Sequence, residues 1–192
     1  MKWLIYIILP VFLVSCDLFQ TRPPEDPDQT KSNYTPPTLA KDLIQNLIYS
    51  FEEKNTVNYS KSFETDLTNK TFSFIPSSSA QATYPGIWEA WDLHSETQYY
   101  NAVKATVPDG QNLTLKLSTE DAAFSILGDS AKYSSSYSIS IPQRNSAPLT
   151  YQGNVEFTMI RDSRQIWVIY FWKDNAIGDN PSWSDLKGSY AN

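Results

Sequence analysis

The chain has 192 residues, is 41% hydrophobic, and carries a formal charge of −6 at pH 7. Lysines and arginines are scattered, so neither a nucleic-acid-binding patch nor a polybasic membrane-binding stretch is visible. A single cysteine excludes an intramolecular disulfide, and a single histidine excludes a His-centred triad or a multi-His metal site.

Residues 1–15, MKWLIYIILPVFLVS, are almost wholly apolar behind one charge, Lys2. The apolar run from Trp3 to Val14 matches a secretory h-region of ~7 to 15 residues and falls short of the ~20 needed to span a bilayer. A signal peptide over 1–15 is predicted. It runs straight into Leu13-Val14-Ser15-Cys16, which resembles the bacterial lipobox. That resemblance implies export, cleavage before Cys16 and lipid on its thiol, with palmitate among the acyl groups. It also supplies a role for a lone cysteine in an oxidising compartment. The expected location is the cell envelope, on the outer membrane or facing the periplasm. Asp17 resembles a sorting signal in some bacteria and leaves the leaflet open.

Residues 16–36 follow as a lipidated cysteine and a tether. The stretch 17–38 holds five of the twelve prolines and few large apolar side chains. Such a composition cannot bury enough apolar area to offset ordering entropy. The folded domain is expected over 37–192, long enough for one real core.

Pro37-Thr38 reads as a helix start. Leu39, Leu43, Leu47 and Ile44, Ile48, Phe51 recur at helical spacing on one stripe. A second short helical pattern runs through Val57, Tyr59, Phe63 and Leu67. Residues 71–76 read as a short strand, followed by a Ser/Ala-rich loop. A third helix is predicted from Ile87 to about Ala105. Its apolar face takes Trp88, Trp91, Tyr99 and Ala102, and Glu89, Asp92 and Glu96 are read as a solvated face. After the turn at Pro108-Asp109-Gly110, everything reads as strand. Leu113, Leu115 and Leu117 alternate with polar residues. Tyr133, Tyr137, Ile139 and Ile141 alternate with serines, and Val155, Phe157 and Met159 share one side of 150–161. Residues 165–173 are apolar on both faces. This order predicts an α+β domain with helices on one face of an antiparallel sheet.

The paired N-terminal helices, the Trp-opened third helix and the long strands resemble the nuclear transport factor 2-like superfamily, which includes the SnoaL-like cyclases. The most specific stretch runs from Gly153 through Arg161-Asp162, Ile166-Trp167-Val168-Ile169 and Phe171-Trp172-Lys173-Asp174 to Trp183-Ser184-Asp185-Leu186-Lys187-Gly188. With the lipobox and the Arg22-Pro23-Pro24-Glu25-Asp26-Pro27 tether, it resembles uncharacterised bacterial lipoproteins carrying such a domain. The resemblance implies a cone: three N-terminal helices packed on a strongly curved antiparallel sheet, around an internal pocket. In some relatives, such as ketosteroid isomerase, that pocket is an active site; in others it is not. Fold alone therefore leaves activity open.

Two residues are candidates for lining such a pocket. His94 sits among Glu89, Asp92 and Glu96, where a carboxylate–imidazole pair could exchange protons. Glu156 points away from Phe157 and Met159 by strand alternation, whereas Arg161 lies on their side. No catalytic residue is assigned, because the isomerase's acid and tyrosine map onto no position here. No glycine-rich phosphate loop, zinc cluster or calcium loop is visible, so no cofactor or metal is expected. A two-faced apolar strand needs cover on both sides, which points to a homodimer through the sheet. The function expected is a non-enzymatic, membrane-tethered domain that binds a small ligand, a glycan or an envelope protein. The alternative is an isomerase or dehydratase working in the cone pocket.

Overall fold

A computed structural model describes residues 32–63 and 65–191. The expected signal peptide, the lipidation site Cys16 and most of the tether lie outside these residues. The compact unit begins at Ser32, ahead of the expected Pro37. The approach to the first helix is tied down by side chains: Asn46 donates to the Thr35 carbonyl at 2.6 Å, and Glu53 accepts from the Asn33 amide at 2.6 Å.

Helix α1 (Ala40–Glu52) starts where the Asp42 carboxylate reaches back to the Leu39 amide at 3.1 Å. This satisfies a donor that the first turn would leave orphaned. Leu43, Ile44, Leu47 and Phe51 form its buried stripe, at 1% exposure or less. Each such side chain contributes roughly 1.5–3 kcal/mol by leaving water. Helix α2 (Thr56–Ser60) is shorter than its pattern suggested, and β1 (Ser73–Ile75) follows. The Ser/Ala stretch expected as loop contains a helix, α3 (Ser78–Thr83), capped by the Ser77 hydroxyl.

Helix α4 (Leu93–Thr106) begins later than predicted because Asp92 is its N-cap, accepting from the Ser95 amide at 2.9 Å. Trp88 and Trp91 therefore sit in the preceding loop. The buried stripe of α4 is Glu96, Tyr99, Tyr100 and Val103, so the reading of Glu96 as part of a solvated face is corrected. The remaining elements are β2 (Thr114–Lys116), β3 (Phe124–Leu127), β4 (Ser130–Ile141), β5 (Leu149–Arg161), β6 (Trp167–Ala176) and a closing helix, α5 (Trp183–Tyr190).

The sheet order is β1-β6-β5-β4-β2, with β3 also on β4. All pairings are antiparallel except β1 with β6, which is parallel. The alternation read from β4 and β5 holds, with Tyr133, Tyr137, Ile139, Ile141, Val155, Phe157 and Met159 in the core. Strand β6 departs from simple alternation. Met159 pairs with Ile169 but Thr158 pairs with Phe171, which leaves Tyr170 as an extra residue. This bulge reverses the phase of the strand. Trp167 and Ile169 point inward before it, and Trp172 and Asp174 after it, each at 1% exposure or less.

Candidate functional site: a closed interior

Among the described residues, one ion pair has both side chains buried. Lys187 of α5 and Glu96 of α4 meet at 2.6 Å, with side chains 0% and 1% exposed. Both oxygens of the Glu96 carboxylate accept from protein donors. Tyr59 donates to Oε1 through a short hydrogen bond, while Trp91 Nε1 (2.7 Å) and Lys187 Nζ (2.6 Å) donate to Oε2. Around the ammonium stand aromatic faces, with the Trp172 centroid at 3.4 Å and that of Phe74 at 3.8 Å. Tyr99 and Trp91 complete the box at 5.5 Å. Such rings attract a desolvated cation through their quadrupoles. Burial still dominates, and lowers the Lys187 pKa to about 8 against the opposing pull of Glu96. Burial, reinforced by Glu96, pushes the Tyr59 and Tyr99 phenols well up.

A second buried carboxylate explains why Lys187 arrives there. Asp174, turned inward by the β6 bulge, accepts from Tyr137 Oη at 2.8 Å. Its other oxygen takes the Ser184 amide (2.7 Å) and hydroxyl (2.5 Å) in the first turn of α5. A carboxylate at a helix N-terminus satisfies orphan amides and suits the helix dipole. Tyr137 Oη in turn accepts from the Trp183 amide at 2.5 Å, and Trp183 Nε1 donates to Tyr99 Oη at 2.7 Å. Burial, with Asp174 adding to it, raises the Tyr137 pKa strongly. Ser182 and Asp185 form a capping box, and Ser77 ties both Ser182 and Ser184 to the start of α3. Helix α5 is thus locked over the core by α3, α4, β4, β5 and β6.

This constellation lacks the features of acid–base machinery. Every oxygen of Glu96 already accepts from a protein donor, and neither partner of the pair reaches solvent. It is a structural plug, packed among the buried side chains of Trp172, Trp183, Tyr99, Phe74 and Tyr59. Outside the plug lies a groove of about 540 Å³ between the loop at Gly86–Trp91, α4 and Tyr190–Ala191. Trp91 and Tyr99 form its inner wall, and Gln98 and Asn101 supply amides.

The sequence-derived candidates lie elsewhere. His94 is exposed on the first turn of α4 and does not line this groove. Glu156 is exposed on the outer face of β5, 3.9 Å from Lys173 Nζ and 3.4 Å from Asn175 Nδ2. The structure brings neither to the Glu96–Lys187 pair. Among the described residues there is no group of three or more His, Cys, Asp or Glu arranged for a metal, and no helix long and apolar enough to cross a membrane.

No protein-family model matches the sequence, and no curated protein matches it. Solved structures do. One is a nuclear transport factor 2-like superfamily protein from Salmonella enterica serovar Typhimurium, 18% identical, with a TM-score of 0.51 over 74% of this chain and 88% of that one. Another, from Streptomyces avermitilis, is provisionally described as a dehydratase of the same family; it is 11% identical, with a TM-score of 0.52 over 70% and 91%. A third, from Novosphingobium aromaticivorans, is provisionally described as an aromatic ring hydroxylase; it is 12% identical, with a TM-score of 0.55 over 77% and 92%. The fold is that of the nuclear transport factor 2-like proteins. At these identities the likeness concerns the backbone, and the chemistry attributed to the neighbours differs from one to the next. Within the nuclear transport factor 2-like cone, this chain's own side chains decide what the interior does.

Proposed function

We propose that this protein is a bacterial envelope lipoprotein, anchored through lipid on Cys16, whose nuclear transport factor 2-like domain binds rather than catalyses. The observation that carries the binding reading is the Glu96–Lys187 pair sealed among aromatic rings in the interior of the domain. An isomerase or dehydratase of this fold needs an open interior with a carboxylate free to take a proton, and Glu96 has no free oxygen. Ligand or partner then meets the outside of the domain, with the groove over Trp91 and Tyr99 as one contact surface. The anchoring reading rests on Leu13-Val14-Ser15-Cys16 behind an apolar run. In it the Pro-rich stretch holds the domain off the membrane, on the periplasmic side or at the outer membrane. A second copy covers the outer face of β6, where Tyr170 and Phe171 stay half-buried.

Labelling cells that express the full chain with palmitate tests the anchor. Label in the wild type and none in Cys16→Ala supports it, and equal label in both defeats it. Native mass spectrometry of the chain from residue 17 tests the rest. A protein that turns over small carbonyl or hydroxy acid substrates would sink the binding reading, whereas bound mass without turnover supports it.

A further inference from the structure

At the opposite end of α4's neighbour α1, the helix start and the β3–β4 hairpin leave a second groove of about 420 Å³. Its walls are Leu39, Phe124, Ile126 and Trp167. Leu39 is 52% exposed and Ile126 59%, and beside them the hairpin tip presents Leu127 at 85%. Contiguous exposed apolar surface of this kind marks a place where something binds. The volume falls in the range of small-ligand sites.

Two cations, Lys41 and Arg161, line the same groove, with Asp121 as the only acid among its lining residues. The Arg161 guanidinium lies over the Trp167 ring, 5.2 Å from its centre. Its Nε is buried and has no hydrogen-bond partner, while Asp129 stands at ion-pair distance, 3.9 Å, and the Arg161 side chain as a whole keeps 33% exposure. A guanidinium edge is matched by a carboxylate. Apolar walls beside a partly exposed guanidinium and Lys41 describe an amphiphile carrying a carboxylate head.

We propose that this groove binds a free medium-chain fatty acid. The chain lies against Leu39, Phe124, Ile126 and Trp167, and the carboxylate sits on Arg161 with Lys41 nearby. The proposal rests on the reading of the domain as a binding module, but not on the lipid anchor, which the palmitate experiment tests separately.

Calorimetry of the chain from residue 17 tests it, with decanoate below its micelle-forming concentration and decanol as the uncharged comparator. The expected result is saturable binding of decanoate, about tenfold or more tighter than decanol, because one charged hydrogen bond is worth that factor. Arg161→Gln removes that preference, and Ile126→Asp, at an exposed position, weakens both ligands. No saturable decanoate binding, or a preference that survives Arg161→Gln, overturns the proposal. Phosphatidylcholine vesicles form the third arm. Vesicle binding that Ile126→Asp abolishes, with no binding of free decanoate, makes the patch a bilayer-docking surface and also overturns it. If decanoate fails while native mass spectrometry finds another adduct, the fatty-acid proposal falls and the binding-module reading stands.

Discussion

Replacing Lys187 with methionine isolates what the buried pair does. The methionine stem keeps most of the volume between Trp172 and Phe74, and such volume-conserving exchanges cost under about 1.5 kcal/mol by packing alone. What is lost is the ammonium 2.6 Å from Glu96 Oε2, in a site with 1% exposure or less. Breaking one side of a buried pair costs about 3–5 kcal/mol, because the remaining charge has no counterion. Here Glu96 keeps Tyr59 and Trp91 as donors, which places Lys187→Met toward the lower end of that range. Against a typical total of about 5–15 kcal/mol, the variant still folds but is much weakened. Adding Glu96→Gln removes the stranded charge while its carbonyl still accepts from Tyr59 or Trp91. The double variant is then more stable than the sum of the single effects, by about 2 kcal/mol or more. Urea unfolding followed by tryptophan fluorescence gives all four corners of the cycle. A loss below about 1 kcal/mol for Lys187→Met, or additive effects, would refute the plug as an energetic unit.

The pair also sets a pH signature. Since the folded Lys187 pKa is lowered from 10.5 to about 8, the unfolded chain holds more protons between those values. Stability from this group therefore rises as pH climbs past 8 and is lost as pH falls back through it. The buried tyrosines, with raised pKa values, act oppositely from about pH 10 upward, so urea midpoints should be compared from pH 7 to 9.5 in the wild type and in Lys187→Met. An equal slope in both would rule Lys187 out as its source. Gly153→Ala tests the Tyr137–Asp174 node: a Cβ there would stand 2.5 Å from Tyr137 Oη and 2.6 Å from the Asn175 carbonyl. Backbone cannot yield as a flexible side chain does, so a loss of about 1–3 kcal/mol is expected in the same unfolding assay. An unchanged midpoint would mean the strands part freely at that point.

Much of the scaffold is legible in the sequence because its buried sets are periodic. Leu43, Leu47 and Phe51 repeat on α1, and serines mark the solvent positions of β4 so regularly that its inner face follows at once. The interior was not legible, for the same reason in reverse. Glu96 belongs to the buried stripe with Tyr99, Tyr100 and Val103, but a charged residue in an apolar stripe reads as exposure. Its three- and four-residue spacing to those tyrosines was the available signal. Helix α5 carries little apolar periodicity, since its buried positions include Ser184, Lys187 and Gly188. Helix α3 lies in a Ser/Ala run that resembles a loop until Ser77 is recognised as its cap.

The β6 bulge links these hidden features into one sequence of causes. Without the extra residue at Tyr170, strict alternation from Ile169 would put Phe171 and Lys173 inside and turn Trp172 and Asp174 outward. Asp174 would then no longer meet the Ser184 amide, and α5 would lose the carboxylate that fixes its first turn. Lys187 stands three residues further along that helix, on its buried side. Its arrival opposite Glu96 therefore depends on a backbone irregularity in β6, a different element from those that carry the pair. Trp172 enters by the same phase change and supplies the ring face nearest to the ammonium. One irregularity thus supplies the anchor for α5, the placement of Lys187 and the nearest aromatic wall. The Glu96–Lys187 pair, Tyr99 and Trp172 thereby pack together in the interior of the domain.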